Sequence, residues 1–147
     1  MYSRVVVPLD GSETASMALD HARNLARQNQ IPILVIRAID PSLADQVGLI
    51  GVRPVFNKID VMLDQEQSAT SIFVDQHVQK LTNDGFQASG SVVWGTPAAA
   101  IASVLEDGDV IVMTTRGRTG AKRWFLGSVA EDLLKQTQVP VLLVRND

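Results

Sequence analysis

Short apolar runs alternate along this chain with segments of helical periodicity. The runs are rich in valine, isoleucine and leucine, which favour buried strands, and they occupy residues 4–9, 33–39, 87–94, 110–113 and 139–145. Between them, apolar side chains recur at the three- and four-residue spacing of an amphipathic helix. This alternation predicts an α/β fold: an open, doubly wound, five-stranded parallel sheet with helices on both faces and right-handed crossovers.

Capping residues indicate where several of these helices begin. Ser12 is predicted as the N-cap of the first helix. Thr96 is the predicted N-cap of the helix after the third strand, and Pro97 suits the first helical position because its missing N–H is not needed there. Ser128 is predicted as the N-cap of the last helix, which runs over about residues 129–137.

The connection after the second strand is unusually long. Asp40 and Pro41 begin a loop that we expect to continue to about Asn57. A connection of that length exceeds the usual few residues, and such loops are often functional segments. A long amphipathic helix follows and is predicted to end at Asp84-Gly85.

The segment between the fourth strand and the last helix has the features of a phosphate-binding loop. Its glycines allow the backbone to approach a ligand, and the amides at the start of the next helix favour an anion. Its basic residues add positive charge in a chain whose net charge is −3. The glycines are Gly117, Gly120 and Gly127, and the basic residues are Arg116, Arg118, Lys122 and Arg123. Arg116 and Arg118 are the candidates for direct phosphate contact.

Length and composition narrow the range of functions. A chain of 147 residues fits one domain, which we assign to residues 1–147. The negative net charge argues against a general nucleic-acid binder, and the lack of cysteine excludes thiol chemistry. The N-terminal residues do not resemble a signal peptide, and no apolar run approaches the ~20 residues that span a bilayer. We therefore expect a cytoplasmic protein without a membrane contact.

The loop also carries a family resemblance. Gly117, followed after nine residues by Gly127-Ser128, resembles the second half of the G-x-x-G-x9-G-[ST] signature of the universal stress protein family. Thr114 stands where the first glycine of that signature would be. The resemblance extends over nearly the whole chain, through residues 6–13, 92–97, 127–131 and 139–144.

The resemblance implies strand order 3-2-1-4-5, so strands one and four are neighbours where the order reverses. Ligands of open α/β sheets bind at that point, beyond the carboxyl ends of the strands. The ATP-binding branch of the family implies ATP with Mg as the ligand. By position, Pro8, Asp10 and Ala38 would face the adenine and ribose, Met113 and Thr114 would flank the ribose, and Gly117, Gly127, Ser128 and Val129 would hold the phosphates.

Several alternatives stay open at this point. Asp10 is a candidate ribose, base or metal ligand, and it is also placed to cap the first helix. The chain has no G-x-x-x-x-G-K-[ST] loop, so we expect a regulatory ATP-binding protein, with slow ATP hydrolysis as an alternative. A further alternative is a dimeric interaction module that binds no nucleotide. In either case the apolar last strand, 139–144, predicts a homodimer through that edge, as the resemblance also implies.

Overall fold

A computed structural model of the protein describes residues 1–42, 56–115 and 126–145, with side chains described from residue 60 onwards in the second range. Strands and helices alternate through these ranges. In chain order they are β1 Arg4–Pro8, α1 Ala15–Asn29, β2 Ile33–Ile39, α2 Phe56–Asn83, β3 Ala88–Trp94, α3 Pro97–Ala102, β4 Asp109–Thr114, α4 Ser128–Gln136 and β5 Val141–Val144.

The strands form one parallel sheet in the order β3-β2-β1-β4-β5, which confirms the predicted topology. β1 lies at the centre, where Val6 pairs with Leu34 of β2 on one side and with Ile111 of β4 on the other. β3 and β5 are the edge strands of the described sheet. The order reverses between β1 and β4, as the family resemblance implied.

Alternate side chains of β1 enter two hydrophobic cores. Val5 and Val7 pack with α1 and α2, whereas Val6 packs with residues of α3 and α4 such as Ile101 and Leu133. All three valines are completely buried. Because both faces of the sheet need an apolar cover, helices are required on each side of it.

The capping predictions were confirmed for one helix and wrong for two. α3 has Thr96 at its N-cap and Pro97 in its first turn, as expected. The N-cap of α1 is Thr14 rather than Ser12, which lies in the turn before the helix and whose hydroxyl oxygen still accepts the amide N–H of Ala15. Ser128 is the first residue of α4, and Gly127 occupies the N-cap position.

A buried ion pair joins the two central strands at their amino-terminal ends. Arg4 donates to both carboxylate oxygens of Asp109, through Nε at 2.9 Å and Nη2 at 2.7 Å. The Asp109 side chain is only 1 % exposed and also accepts the amide N–H of Glu106 at 2.8 Å. The hydrogen bonds that the Arg4 guanidinium donates to Asp109 raise its pKa. This pair fixes one end of the sheet.

α2 packs unusually close to the edge strand β3. Its buried face includes Val74 and Leu81, and Gly90 of β3 lies directly beneath it. A Cβ added at Gly90 would lie 2.3 Å from Cγ1 of Val74 and 3.0 Å from Cγ2 of Val78.

Although α2 has 28 residues, every described helix is too short or too polar to cross a membrane.

We predict that Gly90→Ala lowers the free energy of unfolding by about 1–3 kcal/mol, because valine side chains are stiff and α2 would have to move outward. Urea titration followed by circular dichroism measures the change. Ser89→Ala, at an exposed position of the same strand, is the matched control and should cost less than about 0.5 kcal/mol. If both substitutions lower the free energy of unfolding equally, the close approach of α2 to Gly90 has no effect on stability.

Candidate functional site

A crevice opens at the carboxyl ends of the central strands. After β1 the chain enters α1 on one face of the sheet, and α4, which follows β4 along the chain, lies on the opposite face. Since β1 and β4 are neighbours, their two following connections separate and leave a space between them. This is the position in which open α/β sheets bind ligands.

A pocket of about 270 Å³ occupies this crevice. Its apolar surface comes from the strand ends and from the helices of one face, through Ile36, Ala38, Ile101, Met113 and Val129. Its polar groups are fewer than its apolar ones, as is usual for a small-molecule site. They include Asp10, Arg37, Asp40, Glu66, Thr114 and Ser128.

A second, more open groove lies between α1 and α2. It has a volume of about 540 Å³ and is lined by residues that include Gly11, Ser16, Phe73 and His77. We favour the smaller pocket as the functional site because it lies where the strand order reverses and is more enclosed. The larger groove is a shallow surface channel on the other face.

Most of the described residues that the sequence singled out come together in the smaller pocket. Pro8, Asp10, Ala38, Met113, Thr114, Ser128 and Val129 all line it. Gly127 does not line the pocket but directly precedes Ser128, at the N-cap of α4. Arg116, Gly117 and Arg118 lie outside the described residues. The residues predicted to face the adenine and ribose are therefore described, and part of the predicted phosphate loop is not.

Asp10 organises the turn after β1. Its Oδ1 accepts the amide N–H of Ser12 at 2.9 Å and the Ser12 hydroxyl at 2.6 Å. The Ser12 hydroxyl oxygen in turn accepts the amide N–H of Ala15, the first residue of α1, at 3.3 Å. Asp10 is thus linked to the start of α1 through Ser12. The same residue lines the pocket, so turn formation and ligand contact are compatible.

The start of α4 presents backbone donors beside the pocket. Gly127 has a φ of 85°, and its carbonyl accepts the amide N–H of Glu131 at 3.0 Å. Within the described part of the chain, no side chain caps this turn. Uncapped amides at a helix start favour an anion, which is the environment expected for a phosphate.

Three charged pocket residues were missed by the sequence reasoning. Arg37 lies near the end of β2, Asp40 follows that strand, and Glu66 reaches the pocket from α2. Arg37 could have been identified from the sequence, because it is the only charged residue in the apolar run 33–39. The position of Glu66 depends on how α2 crosses the sheet, and no local pattern indicated it.

The described residues contain no cluster of three or more His, Cys, Asp or Glu side chains able to hold a metal ion. Asp10 is therefore not a member of such a three-residue cluster in the part of the chain that the structure describes. A metal ion at Asp10 would need oxygen atoms from a bound ligand or water. The assignment of Asp10 as a metal ligand stays a prediction.

Comparison with known proteins gives a consistent family. Residues 1–145 match the universal stress protein family. Universal stress protein MJ0531 of Methanocaldococcus jannaschii is 32 % identical over 148 residues, covering 99 % of this chain and 83 % of that protein. The solved structure of MJ0577, from the same organism, superposes with a TM-score of 0.84 at 26 % identity and covers 100 % of this chain and 98 % of its own.

One solved structure of lower sequence identity contains a bound ligand. It is a universal stress protein in complex with cAMP, with a TM-score of 0.68 at 21 % identity, and the match covers 97 % of each chain. At that level of identity the similarity establishes a shared fold for the two chains.

We predict that Gly127→Ala destabilises the protein more than Gly85→Ala does. The φ angles are 85° and 89°, so an alanine is strained at both positions, and at Gly127 the ψ of 140° lies outside the left-handed helical region, which adds to the cost there. Only at Gly127 would the new Cβ also lie 2.9 Å from a carbonyl oxygen, that of Thr115, whereas at Gly85 no described atom lies within 4 Å.

The Thr115 carbonyl cannot shift freely, because the Thr115 amide donates to Val144 of β5 at 3.0 Å. Thermal and urea unfolding of the two variants measure the difference between the sites. Equal losses of stability would show that the backbone adjusts at Gly127 without strain.

Proposed function

The chain belongs to the universal stress protein family, and from that membership we propose that it is a regulatory protein whose pocket binds an adenine nucleotide. The observation that carries the proposal is the pocket of about 270 Å³ at the reversal point of the sheet, which combines an apolar interior with Asp10 and the start of α4. A planar base, a hydroxylated sugar and an anion would each meet suitable groups there.

The size and lining of the pocket suit a nucleoside. Its volume lies just below the roughly 300–1,000 Å³ that ligand pockets occupy, which favours a compact group. In our proposal, the base lies against Ala38 and Met113, and the ribose hydroxyls donate to Asp10. The phosphates then extend toward Ser128, where the α4 dipole stabilises negative charge.

ATP with Mg is the ligand that we propose within this class. The related structure solved with cAMP supports an adenine nucleotide. The preference for ATP rests on Arg116, Gly117 and Arg118, whose charge and spacing suit a chain of phosphates. Thr114 at the position of the first signature glycine makes the choice between ATP and a monophosphate an experimental question.

We propose binding rather than turnover as the main activity. Phosphoryl transfer requires an oriented nucleophile, metal ions and stabilisation of the transferred group. The sequence has no Walker-type loop to provide these elements, so slow hydrolysis is the most that we expect. Nucleotide binding would then regulate the interaction of this protein with a partner. A cytoplasmic location stays a prediction from the sequence.

We predict that nucleotide-stripped protein binds Mg-ATP saturably and more tightly than AMP, and that Asp10→Asn weakens ATP binding by about tenfold to a hundredfold. Loss of a charge-assisted hydrogen bond costs about 1.5–3 kcal/mol, which corresponds to that range of affinity. Isothermal titration calorimetry at constant salt measures both effects. Titrations with Mg-cAMP, AMP and GTP then show which nucleotide the protein binds most tightly.

Asp75→Asn is the matched control, because it removes the same charge from an exposed position of α2 that does not line the pocket. It should leave ATP affinity unchanged. If the wild-type protein produces no binding signal with any of these nucleotides at several temperatures, the proposed function is wrong. The dimeric interaction module is then the better description.

The edge strand β5 supports a homodimer in either case. It pairs with β4 on one side only in the described sheet, and the exposed edge of an apolar strand invites pairing with another chain. Leu142 of this strand is 42 % exposed and adds apolar surface beside the open edge. We propose that a second copy of the chain covers this edge, with two-fold symmetry.

We predict that Leu142→Lys converts the dimer to a monomer, because a charged side chain at the proposed interface would be buried without a partner. Size-exclusion chromatography with light scattering measures the mass. Leu134→Lys, which changes an equally exposed leucine on α4, tests whether the effect is specific to β5. A wild-type protein that is monomeric at micromolar concentration would contradict the proposed dimer.

A further inference from the structure

Arg37 is held by stacking rather than by an ion pair. Its Cζ atom lies 4.5 Å from the centre of the Phe73 ring of α2, which is cation–π geometry. Within the described residues, its guanidinium takes part in no ion pair within 4.0 Å, although Asp10, Asp40 and Glu66 line the same pocket. This is an uncommon way to hold a partly buried arginine beside carboxylates.

The other contact of the guanidinium is with the turn after β1. A Cβ built on Gly11 would lie 3.2 Å from Nη1, 3.2 Å from Nη2 and 3.3 Å from Cζ of Arg37. These nearly equal distances mean that the flat face of the guanidinium covers the bare side of Gly11. Gly11 has a φ of 83°, so glycine is favoured there by the backbone as well as by the arginine.

The stack therefore lies next to Asp10. Gly11 is the residue between Asp10 and Ser12, and those two are joined by the hydrogen bonds that shape the turn. A ring on α2, a guanidinium on β2 and the turn after β1 form one continuous set of contacts. A turn supported on its outer side has fewer conformations available than a free one.

We propose that Arg37 is a positioning residue of the nucleotide pocket: its guanidinium, in contact with both Gly11 and Phe73, holds the Asp10–Ser12 turn so that the Asp10 carboxylate meets the ribose hydroxyls. The proposal rests on the proposed function, because the ribose contact requires a nucleotide. Stacking leaves the Asp10 carboxylate free of a competing ion pair with Arg37. Because both bonds from Ser12 go to Oδ1, the other carboxylate oxygen of Asp10 is the one that accepts from the ribose in this proposal.

The first experiment compares Mg-ATP with Mg-2′,3′-dideoxy-ATP, which lacks both ribose hydroxyls, by calorimetry. The wild-type protein should prefer ATP by about tenfold, the effect of one charge-assisted hydrogen bond. Arg37→Met should abolish this preference while changing the affinity for the dideoxy compound less than threefold. A variant that weakens both ligands equally would show a general structural role and overturn the positioning role.

Two further variants identify the mechanism. Asp10→Asn combined with Arg37→Met should behave like Asp10→Asn alone, because Arg37 acts through Asp10. Arg37→Lys keeps the charge but loses the planar group that covers Gly11, so it should not restore the preference. Additive effects in the double variant, or full restoration by lysine, would overturn the proposal.

A second experiment needs no nucleotide and separates this inference from the proposed function. Amide hydrogen exchange of the ligand-free protein should accelerate several-fold over residues 9–15 in Arg37→Met and in Phe73→Leu, with residues 109–114 unchanged. Unchanged exchange at residues 9–15 in both variants would overturn the positioning role whatever the ligand is. Accelerated exchange together with no nucleotide binding by the wild-type protein would retain the support of the turn and refute the ribose contact.

Discussion

The complete burial of β1 is the constraint on which the rest of the structure depends. Val5, Val6 and Val7 are fully inaccessible to solvent, and each contributes about 1.5–3 kcal/mol through burial. Their side chains alternate between two cores, so apolar helices must cover both faces of the sheet. Helices α1 and α2 cover one face, and α3 and α4 cover the other. The crevice at the end of β1 is a geometric consequence of that arrangement.

Much of the fold could be predicted because its signals are local. The strands are runs of branched apolar residues, and Thr96 with Pro97 begins a helix by its own chemistry. The strand order followed from the family resemblance. The remaining caps depended on contacts between side chains. Ser12 is a good N-cap by composition, but Asp10 accepts its hydroxyl, and the helix begins after Thr14.

The candidate site was predictable where the strands end and less so elsewhere. Asp10, Ala38 and Met113 lie in one pocket because parallel strands finish at the same edge of the sheet. Glu66 reaches that pocket from α2, the helix that packs closely on β3 at Gly90. Such packing has no signature in the sequence. Arg37 was visible as a charge in an apolar strand, but its stacking partners come from two other elements.

One end of β1 is held by an ion pair, and the other end forms part of the pocket. Arg4 at one end is locked to Asp109, and the pocket begins at Pro8, about 13 Å away for a strand rise of about 3.3 Å per residue. Changes at sites that far apart, with no shared partner, usually combine additively in their effect on stability. Substitutions around the pocket can therefore accumulate without weakening the ion pair that secures the opposite end. This separation allows the same framework to acquire new ligand preferences while it continues to fold.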